Sequence, residues 1–510
     1  MTTMLEQKYT MTDWQAEDIA HLEQRAWSAN WSEMGAYKTT TVQWLAERLL
    51  TGVDNPKVLV VTTKSGKGTY FQTVPSVLED WNLLNIAGRK VTLLFDGHEF
   101  PVNDTLALDK KPTIVVTHYN FFTERKKKGS DKKHKNPILE RVLKTEWDFV
   151  VLDEAHRIKE RTTGWTRNIK KLKANYKHIM TGTGFINNPA EVWSLLNFLS
   201  PKTFSSYWRF REYFCHEVVD NGGFRRIVGI NPGTKQEFKD LLFDIGVRRR
   251  KREVFTHLKE PIYTPVEVDL NPRQRKMYDE IKAYLQTLDK EGTPIYAPNV
   301  LAALQRLRQI TVATPKVVRE YWDEKEQRRR LEIKLEEPSS KLDALMEIIE
   351  GLEWDEDSKQ QVVVFSNFRD PLELLKTRLD AQYDKNGKLL RAGIPYIHLE
   401  QKDNDSQRFY KWAELFPKKE HQVFMSTLTL GSESISLTPA SIAIFLDRSW
   451  SPKDNEQAVA RIDRPGQTDV PQIIHINARK TTDQRVEQVT RIKQGWFDEI
   501  FGVEEEQSGN

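Results

Sequence analysis

Short apolar runs alternate with longer amphipathic stretches over the first part of the chain. Five runs have the length and β-branched composition of buried strands: Val58–Val61, Val91–Phe95, Thr113–Val116, Phe149–Leu152 and His178–Met180. Strands and helices in alternation predict a parallel sheet that is covered by helices on both faces. We therefore expect one α/β lobe over residues 1–200.

The pattern changes between residues 201 and 338, where long charged, amphipathic stretches predict helices. They are Gln274–Leu288, Val300–Ile310 and Lys316–Leu335. Glu336-Glu337-Pro338-Ser339-Ser340 ends this pattern, and five further strand-like runs follow: Val362–Phe365, Tyr396–Leu399, Val423–Met425, Ile442–Leu446 and Ile473–Ile476. The predicted fold is α/β, with a second parallel-sheet lobe and C-terminal tail over 339–510 and a helical insertion over 201–338.

Composition narrows the class of protein. Cys215 is the single cysteine in 510 residues, which excludes an intramolecular disulfide and a thiolate-cluster metal site. No apolar run reaches membrane-spanning length, and Met1–Tyr9 lacks the layout of a signal peptide. We therefore expect the protein to be located in a bacterial or host cytoplasm, or in a nucleus. The net charge of +4 is small, but basic residues cluster at Arg125–Lys135 and Arg248–Arg252. Each cluster is either a solvated loop or a contact surface for a polyanion.

Two adjacent carboxylates follow the apolar run Phe149–Leu152. The carboxyl ends of parallel strands are where open α/β sheets bind their ligands. Asp153 could hold a Mg²⁺ ion on a nucleotide's phosphates while Glu154 orients and deprotonates water. The alternative is a solvated acidic strand end.

A glycine-containing turn precedes the helical stretch Thr41–Leu50. Gly35, Lys38 and Thr39 have the properties of a phosphate-binding loop: free backbone N–H groups, a point charge and a Mg²⁺ ligand. Tyr37 stands where such loops have glycine. Upstream, Trp14-Gln15 could supply a stacking ring and an amide for a purine.

Two other stretches suit phosphate chemistry. Thr181-Gly182-Thr183 ends a strand in two hydroxyls, which could link a nucleotide site to a second ligand, or form an ordinary turn. Arg461 and Arg464 would share one face of a helix if this stretch is helical, and two convergent guanidinium groups suit a transferring phosphoryl group. A surface pair bound to carboxylates is the alternative.

Together these stretches resemble helicase superfamily two, and more closely its Swi/Snf-type ATPases, the double-stranded DNA translocases. The resemblance covers nearly the whole chain and is carried by DEAHRIK (153–159), TGTGFINNPAEVWSLLNFLSP (181–201), SSKLDALMEII (339–349), VVVFSNF (362–368) and DRSWSPKDNEQAVARIDRPGQ (447–467). It implies two RecA-like lobes. The compact chain is similar to the minimal bacterial and viral members.

The resemblance also implies roles for single residues. ATP phosphates would be bound by Gly35, Lys38 and Thr39, with Gln15 near the adenine. Mg²⁺ would be held by Asp153 and Thr39, and Glu154 would be the general base. Arg461 and Arg464 would be arginine fingers reaching across the lobe interface, with Gln457 beside them.

For DNA, the resemblance implies backbone contacts from Thr62, Thr63, Lys64, Thr117, His118, Ser366 and Asn367. Thr181, Gly182 and Thr183 would couple those contacts to hydrolysis. We expect a monomer that uses ATP and Mg²⁺ as a DNA-stimulated ATPase and binds duplex DNA without sequence preference.

Departures from the family pattern leave alternatives open. Tyr37 disfavours tight nucleotide binding, Gly184 replaces a usual proline, and Ser432 and Ser434 replace glycines. A strand-separating helicase of replication, recombination or repair is one alternative. The other is a catalytically weak DNA-binding scaffold.

Overall fold

The chain folds around two separate parallel sheets. The structure, a computed structural model, describes residues 11–63, 90–93, 113–123, 136–182, 188–219, 223–290, 297–323, 328–355, 358–384, 388–431 and 435–501. It divides into two compact units, Met1–Thr256 with Lys493–Asn510 and His257–Ile492. Residues 201–256 thus belong with the first sheet and residues 257–338 with the second, whereas the sequence predicted one insertion over 201–338.

The first unit alternates strands and helices. Its elements are α1 (Asp13–Leu22), β1 (Trp27–Asn30), α2 (Lys38–Leu50), β2 (Lys57–Thr62), β3 (Lys90–Leu93), β4 (Thr113–His118), α3 (Pro137–Lys144), β5 (Glu146–Asp153), α4 (Gly164–Ile169), β6 (Lys173–Met180), α5 (Val192–Leu199), α6 (Tyr207–Phe214), β7 (Cys215–Val219), β8 (Arg225–Ile230), α7 (Lys235–Asp244), β9 (Gly246–Val247) and α8 (Lys251–Val254).

Within the described residues, seven strands of this unit form a parallel sheet in the order β3-β4-β2-β5-β6-β1-β9. Its central strands are buried on both faces, because separate apolar cores cover the two sides. Leu59 and Val150 point into one core, and Val58 and Val151 into the other. The polar residues that end β1, β2, β5 and β6 therefore emerge at one edge of a rigid sheet.

The second unit repeats the pattern. Its elements are β10 (Ile262–Val268), α9 (Pro272–Lys290), α10 (Ala297–Val312), β11 (Thr314–Asp323), β12 (Arg328–Glu336), α11 (Ser340–Glu350), β13 (Val362–Ser366), α12 (Asp370–Leu379), β14 (Gln382–Tyr383), β15 (Leu389–Arg391), β16 (Tyr396–Leu399), α13 (Asp405–Phe409), β17 (Val423–Thr427), α14 (Leu428–Gly431), β18 (Ile442–Phe445), α15 (Pro452–Val459), β19 (Gln472–Ala478) and α16 (Thr482–Phe501), whose last residues belong to the first unit.

Six of its described strands form a second parallel sheet in the order β10-β19-β18-β13-β17-β16. Apolar cores again cover both faces. The two sheets confirm the predicted α/β fold class with two RecA-like lobes. No helix within the described ranges combines the length and apolar character needed to cross a bilayer.

The predicted helix over Lys316–Leu335 is wrong. This stretch forms the antiparallel hairpin β11–β12, with Tyr321 opposite Arg330 and Trp322 opposite Arg329. Its β-branched and aromatic residues favour strands, and the charges between them imitated a helical pattern. The insertion is therefore only partly helical, since β7–β8 is a second hairpin and β10 joins the second sheet.

Candidate active site

A loop at the start of α2 has the backbone shape of a phosphate cradle. Gly35 has φ +83°, which glycine adopts without strain, and the backbone turns again at Tyr37, with φ +49°. The helix then begins at Lys38, so its first N–H groups face the loop. Such an end favours an anion.

Lys38 is already directed into this loop. Its Nζ donates to the carbonyl oxygen of Glu33 over 2.7 Å. Desolvation lowers the pKa of Lys38, although Glu154, Asp153 and Glu33 oppose this by favouring the charged form. Thr39 follows it in α2 and is half-buried.

The two carboxylates lie at the end of β5, as predicted. One oxygen of Asp153 accepts from Thr62 Oγ1 over 3.0 Å and the other from the backbone N–H of Glu154 over 2.9 Å. Burial, and then the charge of Glu154, raise the pKa of Asp153 to about 6, while Lys38 acts in the opposite direction. Two acids beside one lysine leave an excess of negative charge at this edge.

That excess of charge fits a magnesium ion. Hard divalent cations bind carboxylate and hydroxyl oxygens, and an acid with a raised pKa gains most from a nearby cation. Asp153 with Thr39 would hold Mg²⁺, and the ion would neutralise charge on bound phosphates.

A polar chain connects Glu154 to the end of β6. Glu154 lies in the left-handed region at φ +51°, and its Oε2 is 3.2 Å from Nδ1 of His156. The same nitrogen is 3.4 Å from Thr181 Oγ1. A Cβ on Gly182 would lie 3.4 Å from the carbonyl oxygen of Ser32, so this strand end abuts the loop. The sequence of Asp153–Lys159 did not indicate that His156 would connect Glu154 to Thr181. Thr183 lies outside the described residues.

The first residues of the basic stretch Arg248–Arg252 bind the segment that leads into the loop. Arg248 donates to the carbonyl oxygen of Trp31 over 2.8 Å and lies 3.5 Å from Glu33 Oε1. Arg249 donates its N–H to Ser32 Oγ over 2.9 Å and pairs with Asp18 at 2.8 Å. The resemblance to the Swi/Snf-type ATPases implies a DNA-binding role for this stretch. These contacts give its first two residues a structural one.

Gln15 is buried near the start of α1. Its Oε1 accepts from the backbone N–H and the hydroxyl of Thr12, over 3.1 and 3.2 Å. Trp14 lies beneath the guanidinium of Arg249, 6.0 Å from the ring centroid. The adenine contact stays a prediction.

The residues predicted to bind DNA in the first unit lie at the C-terminal ends of β2 and β4 or directly after β2. Thr62, Thr117 and His118 are buried, and Thr63 is half-buried. The Thr62 hydroxyl donates a hydrogen bond to Asp153. The sequence did not indicate this contact, because the two residues are far apart in the chain. Lys64 lies outside the described residues, and DNA contact by this set stays a prediction.

In the second unit, Ser366 and Asn367 are held by Asp447. The Ser366 hydroxyl donates to Asp447 Oδ1 over 2.7 Å, and the Asn367 side chain donates to Oδ2 over 2.5 Å. Arg308 pairs with the same carboxylate at 3.4 Å. Asp447 therefore fixes the end of β13. The position of Asp447, directly after the apolar run Ile442–Leu446, was the available signal for this role.

Arg461 and Arg464 lie beyond the end of α15, so they do not share one face of that helix, as a helical stretch would require. They converge nonetheless, because both guanidinium groups donate to the carbonyl oxygen of Ile435, over 3.3 and 3.2 Å. Burial lowers the pKa of Arg464. Gln457 is within α15 and half-buried. Their catalytic roles stay predictions.

Comparison with known families places the chain. Residues 36–315 match the SNF2-related domain, and residues 340–466 match the helicase conserved C-terminal domain. The chain belongs to the SNF2-related family.

Two relatives illustrate its breadth. An uncharacterized ATP-dependent helicase of Mycoplasma genitalium is 28% identical over 355 residues, which cover 69% of this chain and 30% of the relative. The chromodomain-helicase-DNA-binding protein 7 of Homo sapiens is 26% identical over 360 residues, which cover 68% of this chain and 11% of the relative. The matched regions thus span less than a third of either relative.

Among solved structures, the Sulfolobus solfataricus SWI2/SNF2 ATPase core in complex with dsDNA is 21% identical. That match covers 97% of this chain and 93% of the other, with a TM-score of 0.40. The family assignment rests on the two domain matches.

Proposed function

We propose that this chain is a DNA-stimulated ATPase that moves along duplex DNA. The observation that carries the proposal is the junction of Lys38, Asp153 and Glu154 at the edge of the first sheet. A loop with the backbone shape of a phosphate cradle, an acid suited to hold a metal and a second acid suited to act as a base occur together there, in a member of the SNF2-related family.

The proposed chemistry assigns each group a separate task. Lys38 would exchange the Glu33 carbonyl oxygen for phosphate oxygens. Glu154 would orient water and accept its proton, and His156, 3.2 Å away, would fix the Glu154 carboxylate. Arg461 and Arg464 would stabilise charge that develops during phosphoryl transfer.

Coupling to DNA is proposed through strand ends. Thr62 contacts Asp153, so a shift of the loop that follows β2 would reach a metal ligand directly. Thr181 contacts the His156 that holds Glu154. Contacts to the phosphate backbone carry no sequence information and weaken with salt, so binding should be nonspecific and salt-sensitive.

The direct test measures ATP turnover with no nucleic acid, single-stranded DNA, duplex DNA and RNA in parallel. We expect duplex DNA to stimulate turnover most. Translocation is then tested by displacement of a third strand from intact duplex. Equal rates in all four arms would contradict the proposal.

A second candidate function, strand separation, is favoured by the hairpin β11–β12. Its last described residues before the connection include Tyr321 and Trp322, which are 39% and 54% exposed. Exposed rings on a hairpin could stack on a base at a fork. The test compares the wild-type protein with Trp322→Ala on forked DNA. Strand separation over translocation alone is supported if the wild type unwinds the fork and the variant does not, while both hydrolyse ATP at the same rate.

A further inference from the structure

Three side chains of the second unit form a cluster suited to a metal ion. Glu373 is on α12, His398 is on β16, and Glu400 follows that strand. One ligand atom from each lies within 4.8 Å of the other two. This cluster is separate from the residues assigned above to ATP, Mg²⁺ or DNA.

Strand alternation explains why the three meet. Ile397 and Leu399 of β16 point into one core, whereas Tyr396 packs in the other, where α12 also packs. By the period of two, His398 shares the side of Tyr396. Glu400 continues that alternation, and Glu373 reaches the same place from the covering helix.

His398 supplies the independent observation. Its side chain is only 10% exposed, and among the described residues Nδ1 has no hydrogen-bond partner. This nitrogen is 3.7 Å from Glu373 Oε1. Burial lowers the pKa of His398 and so favours the neutral ring, the form that binds metals, although the charges of Glu373 and Glu400 act in the opposite direction. A buried ring nitrogen without a partner is costly unless a ligand completes it.

We propose that Glu373, His398 and Glu400 bind a divalent transition-metal ion of the Zn²⁺ class. One imidazole and two carboxylates suit zinc, with a fourth position for water, whereas Mg²⁺ prefers an all-oxygen shell. Zinc bonds of about 2.0–2.2 Å place neighbouring ligand atoms about 3.4 Å apart, so the cluster must contract. Glu373, whose side chain is 53% exposed, is free to rotate inward.

Nearby lysines are compatible with the site. Lys402 pairs with Glu400 at 2.9 Å, but its side chain is 77% exposed, so the metal can replace it at little cost. Lys411 is bound to the carbonyl oxygen of His398 and to Asp403, each at 2.7 Å, so another carboxylate partly offsets its charge. Lys376 also adds positive charge near His398.

A bound ion would join α12 to β16, the edge strand of the second sheet. Because it binds only the folded arrangement, it would stabilise that unit. The expected signature is a zinc-dependent rise in the unfolding temperature, independent of nucleotide.

The test uses the full chain, treated with chelator, freed of it by buffer exchange, and titrated with Zn²⁺ by calorimetry in excess Mg²⁺ without nucleotide. We expect one Zn²⁺ per chain at this site, and Co²⁺ substitution should give visible absorption. His398→Ala and Glu373→Gln should each weaken Zn²⁺ binding by at least about tenfold.

His216→Ala is the matched control, since it removes an exposed histidine of the first unit and should leave binding unchanged. If His398→Ala does not fold, Glu373→Gln decides, because Glu373 is exposed and its loss spares the core. Wild-type protein that takes up no Zn²⁺, or a Glu373→Gln protein with wild-type affinity, would overturn the proposal.

Discussion

Thr62 donates a hydrogen bond from Oγ1 to Oδ2 of Asp153, over 3.0 Å, between the ends of two neighbouring strands. The sequence placed Thr62 among DNA contacts and Asp153 on the metal. Their direct contact makes the threonine a positioning residue for the acid, and it is where the loop after β2 could influence catalysis.

Thr62→Val should therefore impair hydrolysis even without DNA. The hydrogen bond lowers the pKa of Asp153, so its loss raises that pKa further. A bond worth about 1.4 kcal/mol would move the acid limb of the kcat/KM profile up by about one pH unit. Thr62→Ser, which keeps the hydroxyl, should retain the wild-type profile. A variant impaired only in DNA stimulation would instead support a pure DNA contact.

Turnover should fall in acid with a midpoint set by Asp153. Its pKa is raised to about 6, so the carboxylate is ionised at pH 7.5 and becomes neutral as the pH falls through 6. A neutral carboxyl group does not hold Mg²⁺. We expect kcat/KM for ATP to drop about tenfold per pH unit below that point. A profile that stays flat to pH 5 would contradict this.

Tyr37→Gly should tighten nucleotide binding. The tyrosine side chain hinders close approach of phosphate to the backbone, which glycine would allow. The left-handed backbone at φ +49° is present without nucleotide, so its cost of about 1 kcal/mol bears on folding and not on binding. The substitution also removes a ring contact with Phe255, whose centroid is 4.9 Å away. Phe255→Ala isolates that loss. The measurement is the Kd of a non-hydrolysable ATP analogue, and weaker binding to the glycine variant would show that the tyrosine itself holds the ligand.

Glu154→Gln should abolish turnover while leaving DNA binding intact. The amide keeps the size of the side chain but cannot accept the proton of water, and loss of a general base typically costs about 10²–10⁴ in rate. Lys38→Ala should also abolish turnover, but by weakening ATP binding. Unchanged hydrolysis by the Glu154→Gln protein would remove this residue from the mechanism.

Arg464→Ala should slow hydrolysis far more than it weakens ATP affinity. An arginine finger acts on charge that develops in the transition state and is worth about 10³–10⁵ in rate. Comparison of single-turnover rates with ATP affinity checks this. Arg491→Ala, which removes an arginine that is 82% exposed, is the control. Equal losses of rate and affinity would argue for a binding role.

Residues close in sequence were the predictable part of the site. Asp153 and Glu154 follow an apolar run, and Gly35 and Lys38 precede a helix, so local pattern indicated both stretches. Contacts between distant stretches were not predictable. Arg248 with Glu33, and Asp447 with Ser366, depend on which strands become neighbours, which no short pattern encodes.

By itself, the sequence determined the two parallel sheets and the order of their main strands along the chain, because continuous apolar runs must be buried on both faces. It did not determine the hairpin at β11–β12, where exposed β-branched residues and charges fit either a helix or a strand. Only the tertiary structure decided that Thr62 donates a hydrogen bond to Asp153, that Arg461 and Arg464 both donate to the Ile435 carbonyl oxygen, and that Glu373 lies beside His398. The physical reason is that strand order and helix packing, not separation in sequence, set which polar groups are desolvated together.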